Sequence, residues 1–252
     1  MDYSILLLCL LALVGVIAGA VNTVAGGGSN LTLPVLMMLG LPPEIANGTN
    51  RVAVTLQCVV GVRGFDRYQS LDRQAVIPIL VPTTLGGLLG ALMAAVMPSF
   101  YLKPLLLGSI LLMSFIILVK PTIIAPPLGT PALSPTENRA AWWGLFIAGV
   151  YGGFVQAGVG FILIGALAGG LRYDLLRANA LKMTCTLAFT ALALVVFVLF
   201  DQVRWIPGLI LAAGSMLGAH LAVKVAVRTP QSYIKWFLFG MTLVAVTASL
   251  FF

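Results

Sequence analysis

The chain has 252 residues, of which 60% are hydrophobic and only 8% are charged, and its mean hydropathy is +1.09. A soluble domain carries about 25% charged residues, so this composition excludes a water-soluble protein and predicts an all-α polytopic membrane protein. The formal net charge is +7. Because the cations are dispersed between apolar runs, they indicate loops facing anionic lipid headgroups rather than a surface for nucleic acid.

Apolar runs predict a series of helical segments along the chain. They cover roughly 4–22, 29–41, 44–63, 74–97 and 101–119 in the first half, and 140–156, 160–171, 175–200, 206–227 and 233–252 in the second. The second run of each half has about 12 residues and is shorter than the about 20 residues that a full span needs. Residues 121–138, rich in Pro, Thr and Ser, predict a water-exposed cytoplasmic linker.

The two halves share ordered Gly, Pro and charged positions, which indicates an internal duplication. Gly19, Gly28 and Gly40 correspond to Gly149, Gly158 and Gly170, Ile77-Pro78 to Ile206-Pro207, and "YLKPLLLG" (101–108) to "YIKWFLFG" (233–240). Unrelated membrane segments share leucines by chance but rarely such ordered positions. We therefore predict a first transmembrane repeat over 1–120 and a second over 139–252, on either side of the linker.

The loop charges predict that the repeats are inverted. The loop 63–73 carries three arginines, whereas its counterpart 201–205 carries one; the next pair reverses, with one lysine in 97–103 and three cations in 224–235. If positive loops lie inside, the first of these loops is cytoplasmic and matched loops lie on opposite faces. Each half then has about five helical segments, with helical hairpins at 4–41 and 140–171. The alternative is an eight-helix parallel duplication in which each hairpin is one long broken helix.

A glycine-rich interruption, "NTVAGGGSN" at 22–30, divides the first apolar stretch. Irregular backbone at membrane depth is tolerated where it lines a cavity, and transporters point the N-termini of such half-helices at anions. The candidate ligand-binding residues are Gly26, Gly27, Gly28, Ser29 and Asn30, matched in the second half by Gln156, Gly158 and Gly160. Ser29 and Asn30 are also candidate N-caps of the following short helix. The plainer interpretation is tight helix packing, which we prefer for Gly15/Gly19, Gly86/Gly90 and Gly214/Gly218.

Two cations fall inside predicted spans at matching places. Arg51 lies seven residues after Glu44, and Lys182 lies eight after Asp174. An ionisable group inside a span costs at least about 2.5 kcal/mol and suggests function, here an anion site shared by the two halves. Asn47 and Asn50 share a helix face with Arg51, and Asn179 and Thr186 share one with Lys182. The alternative is that each cation binds a backbone carbonyl or caps a helix end.

Several kinds of chemistry lack a sequence basis. All seven acidic residues lie at segment ends or in loops, so a cation carrier is disfavoured. The lone histidine, His220, lies within a predicted span and is a weaker candidate for proton coupling. We find no catalytic motif and no metal-ligand spacing among the three cysteines, so we predict neither an enzyme nor a bound metal or cofactor.

The residues around the interruption resemble a known family. "AGAVNTVAGGGSNLTLPVLMMLGLPPEIANGTNR", with its degenerate copy around "GVYGGFVQAGVGF" and "RANALK", is similar to the TauE/SafE family, the sulfite exporter or toluene-sulfonate uptake permeases. The resemblance covers nearly the whole chain and implies a multi-pass inner-membrane carrier of sulfur-containing anions. The second copy replaces GGGS with QAGVG, so the ligand role is less well supported there.

Together these observations predict a secondary transporter of small organosulfur oxyanions that works by alternating access, with organosulfonate uptake favoured. Sulfonate oxygens would bind backbone N–H groups at 26–30 and 156–160, while Arg51 and Lys182 balance the charge. The alternatives are export of sulfite or sulfoacetate, and an anion channel that uses the same site. The partners are then the anion and the lipid bilayer. The coupling ion, H⁺ or Na⁺, and the oligomeric state stay open.

Overall fold

The computed structural model describes residues 5–24, 26–119, 126, 130–136 and 138–229, and in these ranges it is helical with no strand. The helices are α1 (Ile5–Val24), α2 (Ser29–Met38), α3 (Pro43–Arg67), α4 (Arg73–Val96), α5 (Ser99–Val119), α6 (Arg139–Phe154), α7 (Val159–Ile164), α8 (Leu175–Leu199) and α9 (Trp205–Arg228). A π-helical stretch, Gly165–Gly170, continues α7 without a break. The predicted segment 233–252 and half of the linker 121–138 lie outside the described residues.

Helix boundaries follow the local sequence signals, and the predicted segments over the described residues are confirmed. α3 begins with Pro43 after Pro42 and carries Glu44 in its first turn, as expected from the ring-fixed φ of proline and the positive helix start. Asp72 caps α4 by accepting from the backbone N of Ala75. Asp174 caps α8 by accepting from the two backbone N–H groups that follow, at 3.1 and 3.0 Å.

Four of the described helices are long and apolar enough to cross a membrane: Leu7–Val24, Arg73–Val96, Leu175–Leu199 and Trp205–Arg228. The helices α2 and α7 with its π-helical continuation are apolar but shorter. α3 has 25 residues but carries polar side chains along much of its length, and its middle packs against α8 and α9. The architecture is consistent with a polytopic membrane protein in which the polar helix α3 packs against two other long helices.

Two helix pairs pack with their backbones in close approach, α1 against α9 and α4 against α6. A Cβ added to Gly19 would lie 2.2 Å from the carbonyl oxygen of Ser215, and one added to Gly86 would lie 2.2 Å from that of Phe146. Such distances are shorter than any real contact, so only glycine permits these crossings. The packing role expected for the paired glycines on α1, α4 and α9 is confirmed.

The short helices fold back on the helices that precede them. Gly28 lies against the backbone of Ala18, six residues before the end of α1, which requires the chain to reverse at the interruption. In the second half Gly170 lies beside Ala141, and Gly144 lies nearest Ala166. These contacts make 5–38 and 139–170 helical hairpins rather than single long broken helices.

The turns between long helices lie at opposite ends of the bundle. The α3–α4 turn contacts the start of α8, where Tyr173 Oη donates to Asp72 at 3.5 Å. The α8–α9 turn contacts the start of α3, where the backbone N of Arg204 donates to Thr49 Oγ1 at 3.0 Å. This is the arrangement that inverted repeats would produce. The duplication itself stays a prediction from the sequence.

An exposed ion pair fastens the α3–α4 turn. Arg73 donates to both carboxylate oxygens of Asp66, at 3.0 and 2.8 Å. These hydrogen bonds hold the pKa of the Asp66 carboxyl below its usual range. The pair contributes least at low pH, because its stabilisation is lost as the pH falls through the lowered pKa. An exposed pair of this kind has little effect on the fold.

Candidate functional site

The two interruptions contact each other backbone to backbone. Gly160 N donates to Gly26 O at 3.3 Å, and a Cβ on Gly160 would lie 2.2 Å from the Cα of Gly26. Gly26 also has φ +95°, a left-handed conformation that favours glycine. The site is therefore centred where the break of the first hairpin meets the first turn of α7.

The first turn of α2 is tied to α3. Thr32 Oγ1 donates to Asn50 Oδ1 at 2.7 Å, and Asn50 Nδ2 donates to Ser29 Oγ at 3.1 Å. The prediction that Ser29 or Asn30 caps this helix is wrong. The capping position belongs to Gly28, which has no side chain, and both residues lie inside the first turn. Ser29 is occupied instead in fixing α2 to the polar face of α3.

Asn30 lies in the same turn but has no partner. It is 2% exposed, and neither its Oδ1 nor its Nδ2 makes a hydrogen bond with any part of the chain that the structure describes. Its Nδ2 is 4.0 Å from the position that a Cβ on Gly27 would occupy, so the carboxamide lies over the glycine interruption. Buried polar groups are normally paired, and an exception at a break in a helix indicates a place for a ligand.

Arg51 reaches from α3 to the last turn of α6 and is fully buried. Its Nη1 donates to the carbonyl oxygen of Gly152 at 2.6 Å, and its Nη2 donates to that of Gly153 at 2.7 Å. Nη1 also donates to Gln156 Oε1, and Nη2 donates to Asn47 Oδ1 at 3.2 Å. The Nε of Arg51 has no partner among the described residues. The cation therefore binds the C-terminal carbonyls of the second hairpin's first helix.

Lys182, in the second half, makes the corresponding contacts with the first hairpin. Its Nζ donates to the carbonyl oxygens of Asn22 and Thr23, both at 2.9 Å, and to Asn179 Oδ1 at 2.7 Å. Asn22 and Thr23 form the last turn of α1, so this cation of the second half binds the first hairpin. Lys182 is also fully buried, and all three of its N–H donors are used.

Neither cation is balanced by a carboxylate. The ion pairs within the described ranges are Arg73 with Asp66 and Arg177 with Asp174, both at helix ends. The carbonyls at each helix C-terminus carry about half a negative charge, so two ends offset about one of the two positive charges. The start of α2 lies at the same break and adds positive charge, so the region around the breaks keeps a net positive charge.

The second interruption holds its polar side chain in place. Gln156 has φ +70°, and Gly158 at the start of α7 has φ +74°. The Gln156 carboxamide accepts from Arg51, and its Nε2 donates to Thr190 Oγ1 at 3.2 Å. Asn47 Nδ2 donates to the carbonyl oxygen of Phe154 at 2.9 Å in the same region. This break is thus fastened to both α3 and α8.

The remaining predicted residues separate into two groups. Thr186 is buried on the same helix as Lys182, whereas His220 is exposed on the outer face of α9 between exposed leucines. The structure therefore does not bring His220 to the two breaks. Sequence reasoning missed Thr32 and Thr190, and although it offered a backbone carbonyl as the alternative partner of each cation, it did not identify which carbonyls. The alignment of the two halves could have indicated those carbonyls. It pairs Asn22 and Thr23 of the first half with Gly152 and Gly153 of the second.

The acidic residues of the described ranges lie where the sequence suggested. Glu44, Asp66, Asp72, Asp174 and Asp201 are at helix ends or in turns, and Asp2 and Glu137 are not described. No group of three or more His, Cys, Asp or Glu side chains in the described ranges could hold a metal ion. The polar residues that meet at the breaks are amides, hydroxyls and the two cations.

A helical bundle with apolar spans, two interrupted hairpins and buried cations at the interruptions has the features of a membrane transporter. The family described as "Sulfite exporter TauE/SafE" matches residues 11–249. Because this match covers nearly the whole chain, the protein belongs to the TauE/SafE family. The resemblance recognised in the sequence is thus confirmed.

Relatives along the whole length carry transporter names. A "Probable membrane transporter protein" of Haemophilus influenzae is 29% identical over 240 residues, which is 93% of this chain and 91% of that protein. "Probable membrane transporter protein ORF9" of Sinorhizobium sp is 26% identical, covering 93% of this chain and 88% of its own length. "Probable membrane transporter protein YfcA" of Escherichia coli K12 is 24% identical, covering 92% and 85%. Family and relatives together indicate a membrane transporter.

Proposed function

We propose that the protein is a secondary transporter of small organosulfur oxyanions, with organosulfonates as the favoured substrates, and that it works by alternating access. The observation that carries this proposal is the pair of fully buried cations at the two interruptions, without a carboxylate partner among the described residues. The description of the family, as a sulfite exporter, supports a sulfur oxyanion.

Electrostatics favours an anion over a cation. The cations Arg51 and Lys182 bring two positive charges, and the two helix ends that they bind offset about half of that. A small anion would offset the remaining positive charge, whereas a cation would add repulsion in a medium where charge is weakly screened. No side chain caps the start of α2, and its positive end favours an anion, although the N–H groups of Asn30, Leu31 and Thr32 already donate to Gly27 O and Gly28 O.

The crossed contacts supply a means of alternating access. Arg51 of α3 binds the end of α6, and Lys182 of α8 binds the end of α1. A rocking motion of one half against the other would have to exchange these hydrogen bonds. An anion bound between the breaks would offer oxygen acceptors to both cations while the carbonyls separate. Substrate binding and the motion of the hairpins would then be coupled through the same two side chains.

The test is uptake of a labelled organosulfonate and of labelled sulfite into liposomes that contain the purified protein. We expect saturable uptake of the sulfonate, reduced by at least about 100-fold in Arg51→Ala and Lys182→Ala, because each removes a buried charge worth several kcal/mol to the anion. Arg63→Ala, an exposed arginine on the same helix as Arg51, is the matched control and keeps normal uptake.

Three results would contradict the proposal. Unchanged uptake and affinity in both cation variants would remove the central role of Arg51 and Lys182. Flux that never saturates and that cannot drive a gradient would make the protein an anion channel instead of a carrier. Uptake of sulfite without any sulfonate would narrow the substrate to the inorganic anion and overturn the organosulfonate assignment.

A further inference from the structure

The carboxamide of Asn30 is a side-chain group of the site with both polar atoms unpaired among the described residues; Nε of Arg51 is a further unpaired atom there. The neighbours of Asn30 in the first turn of α2 are engaged, since Ser29 accepts from Asn50 and Thr32 donates to Asn50. Asn30 is 2% exposed, and both of its polar atoms are unpaired within the described ranges. Each buried unpaired group costs about 1–3 kcal/mol, so a residue that leaves two of them open is expected to pair when the site is filled.

The surroundings of Asn30 place it at the interruption. Its backbone N donates to Gly27 O at 3.1 Å, which brings the side chain back over the glycines. The ring of Phe161 also adjoins Gly27, since its Cε2 would lie 3.0 Å from an added Cβ. An amide and an aromatic ring therefore both lie beside the glycine interruption.

The chemistry of an amide specifies the ligand further. Nδ2 offers donors to an anionic oxygen, while Oδ1 is an acceptor that needs a donor. A simple alkanesulfonate carries acceptors alone and would leave Oδ1 buried and unpaired. Resting on the proposed function, we infer that Asn30 determines specificity by selecting sulfonate monoanions that carry a hydrogen-bond donor of their own, such as a hydroxyl group.

The charge of the site agrees with an anionic ligand. The two cations outweigh the two helix C-termini that they bind, and the start of α2 adds positive charge, so a sulfonate group is attracted. An ionised sulfonate group carries acceptors alone, so the donor on the ligand must come from a second group of the molecule. A site that hydrogen-bonds a hydroxyl rejects the analogue without it strongly, because its own polar groups are then left unpaired.

The experiment compares two sulfonates of nearly equal size, 2-hydroxyethanesulfonate and propane-1-sulfonate, in liposomes containing the full chain. For the unmodified protein we expect kcat/KM for the hydroxylated compound to be at least about tenfold higher, the equivalent of one unsatisfied acceptor. Asn30→Leu keeps the volume but removes both polar atoms, and its ratio of the two kcat/KM values should fall to about one.

Asn30→Asp provides a second variant in case the leucine variant fails to fold. It keeps an acceptor and loses the donor, so the preference for the hydroxylated sulfonate should persist while both sulfonates bind more weakly, since the added negative charge repels them. Thr184→Val is the control, because this partly buried threonine of α8 donates to Ala180 O within its own helix. Its ratio should equal that of the unmodified protein.

The outcomes separate the inference from the function on which it rests. Equal transport of both sulfonates by the unmodified protein would overturn the role of Asn30 and leave the carrier function standing. An unchanged tenfold preference in a folded Asn30→Leu protein would do the same. Failure to transport either sulfonate would overturn the proposed function itself. Retained preference in Asn30→Asp with loss in Asn30→Leu is the supporting result.

Discussion

The interruption between α1 and α2 and the one between α6 and α7 hold their polar side chains differently. At the second, Gln156 accepts from Arg51 and donates to Thr190. At the first, Asn30 is buried without a partner among the described residues. At the second interruption the polar side chain is thus hydrogen-bonded to other residues of the protein. At the first, the Asn30 carboxamide is left available for another hydrogen-bond partner. We therefore expect the first hairpin to make more of the substrate contacts, as the loss of GGGS in the second copy suggested.

The two cations differ in a parallel way. Arg51 uses four hydrogen bonds, two of them to side chains, and keeps Nε unpaired. Lys182 uses three, one of them to a side chain. Both bind the carbonyls at a helix end of the opposite half. The contacts confirm the alternative in which each cation binds backbone carbonyls, while the anion-binding role of the two cations stays a proposal.

The largest expected effect on uptake and stability comes from a substitution that forces the two interruptions apart. Gly160→Ala would place a Cβ 2.2 Å from the Cα of Gly26, against backbone that cannot yield. We expect uptake to fall to background and the free energy of unfolding to drop by about 3 kcal/mol, the upper end of the cost of overpacking. Thermal unfolding in detergent and liposome uptake measure the two effects.

Gly165→Ala is the control for that variant, because nothing lies within 4 Å of an added Cβ there and the backbone is right-handed. It should behave as the unmodified protein. Normal uptake by Gly160→Ala would mean that the two interruptions need not touch, and the comparison between them would lose its structural basis.

An intermediate effect is expected from Arg51→Lys. A lysine has three N–H donors for the four acceptors that Arg51 serves, so at least one buried acceptor is left unpaired. The cost is about 1–3 kcal/mol in unfolding free energy, and uptake should fall by about tenfold. Arg63→Lys at an exposed position of α3 should change neither quantity. Full activity of Arg51→Lys would show that charge alone matters at this place.

The smallest effect on uptake is expected at the second interruption, where the Gln156 side chain is hydrogen-bonded to Arg51 and Thr190. Gln156→Met keeps the chain length but removes the bonds to Arg51 and Thr190, whereas Nη1 retains the carbonyl of Gly152. A hydrogen bond between membrane helices contributes about 0.6 kcal/mol, so the loss of two should lower uptake by at most about eightfold. The ratio of the two sulfonates should not change, in contrast to Asn30→Leu.

Gln69→Met is the matched control for that variant. Gln69 also has positive φ, +56°, and it is exposed in the α3–α4 turn, so the control separates backbone strain from the lost contacts. A change of substrate ratio in Gln156→Met would place the second interruption in the substrate site and would remove the asymmetry between the two breaks.

Local signals allowed much of the fold to be predicted. Apolar runs bounded by Pro42-Pro43, Asp72 and Asp174 gave the helices over the described residues to within a few positions. The glycine pairs on α1, α4 and α9 indicated close helix crossings. These predictions succeed because helix caps, proline φ and the absence of a Cβ act through neighbours in the chain or within one helix face.

The contacts within the site were predicted less completely than the helices, because the residues that bind each other there are distant in the chain. The sequence indicated that Arg51 and Lys182 are buried, but an anion and a backbone carbonyl were equally consistent with that. It assigned Ser29 and Asn30 the same capping role, whereas Ser29 is bound by Asn50 and Asn30 is left unpaired. Which of two adjacent polar residues is used depends on the direction of each side chain in the packed bundle.

By itself the sequence determined the membrane class, the helical segments, the two interruptions and the presence of buried cations, since each follows from composition or from spacing along a helix. Tertiary structure alone decided that Gly26 meets Gly160 and that each cation crosses to the opposite hairpin. The physical reason is that a hydrogen bond is set by a few tenths of an ångström between groups more than a hundred residues apart, and only the packed helices fix that distance.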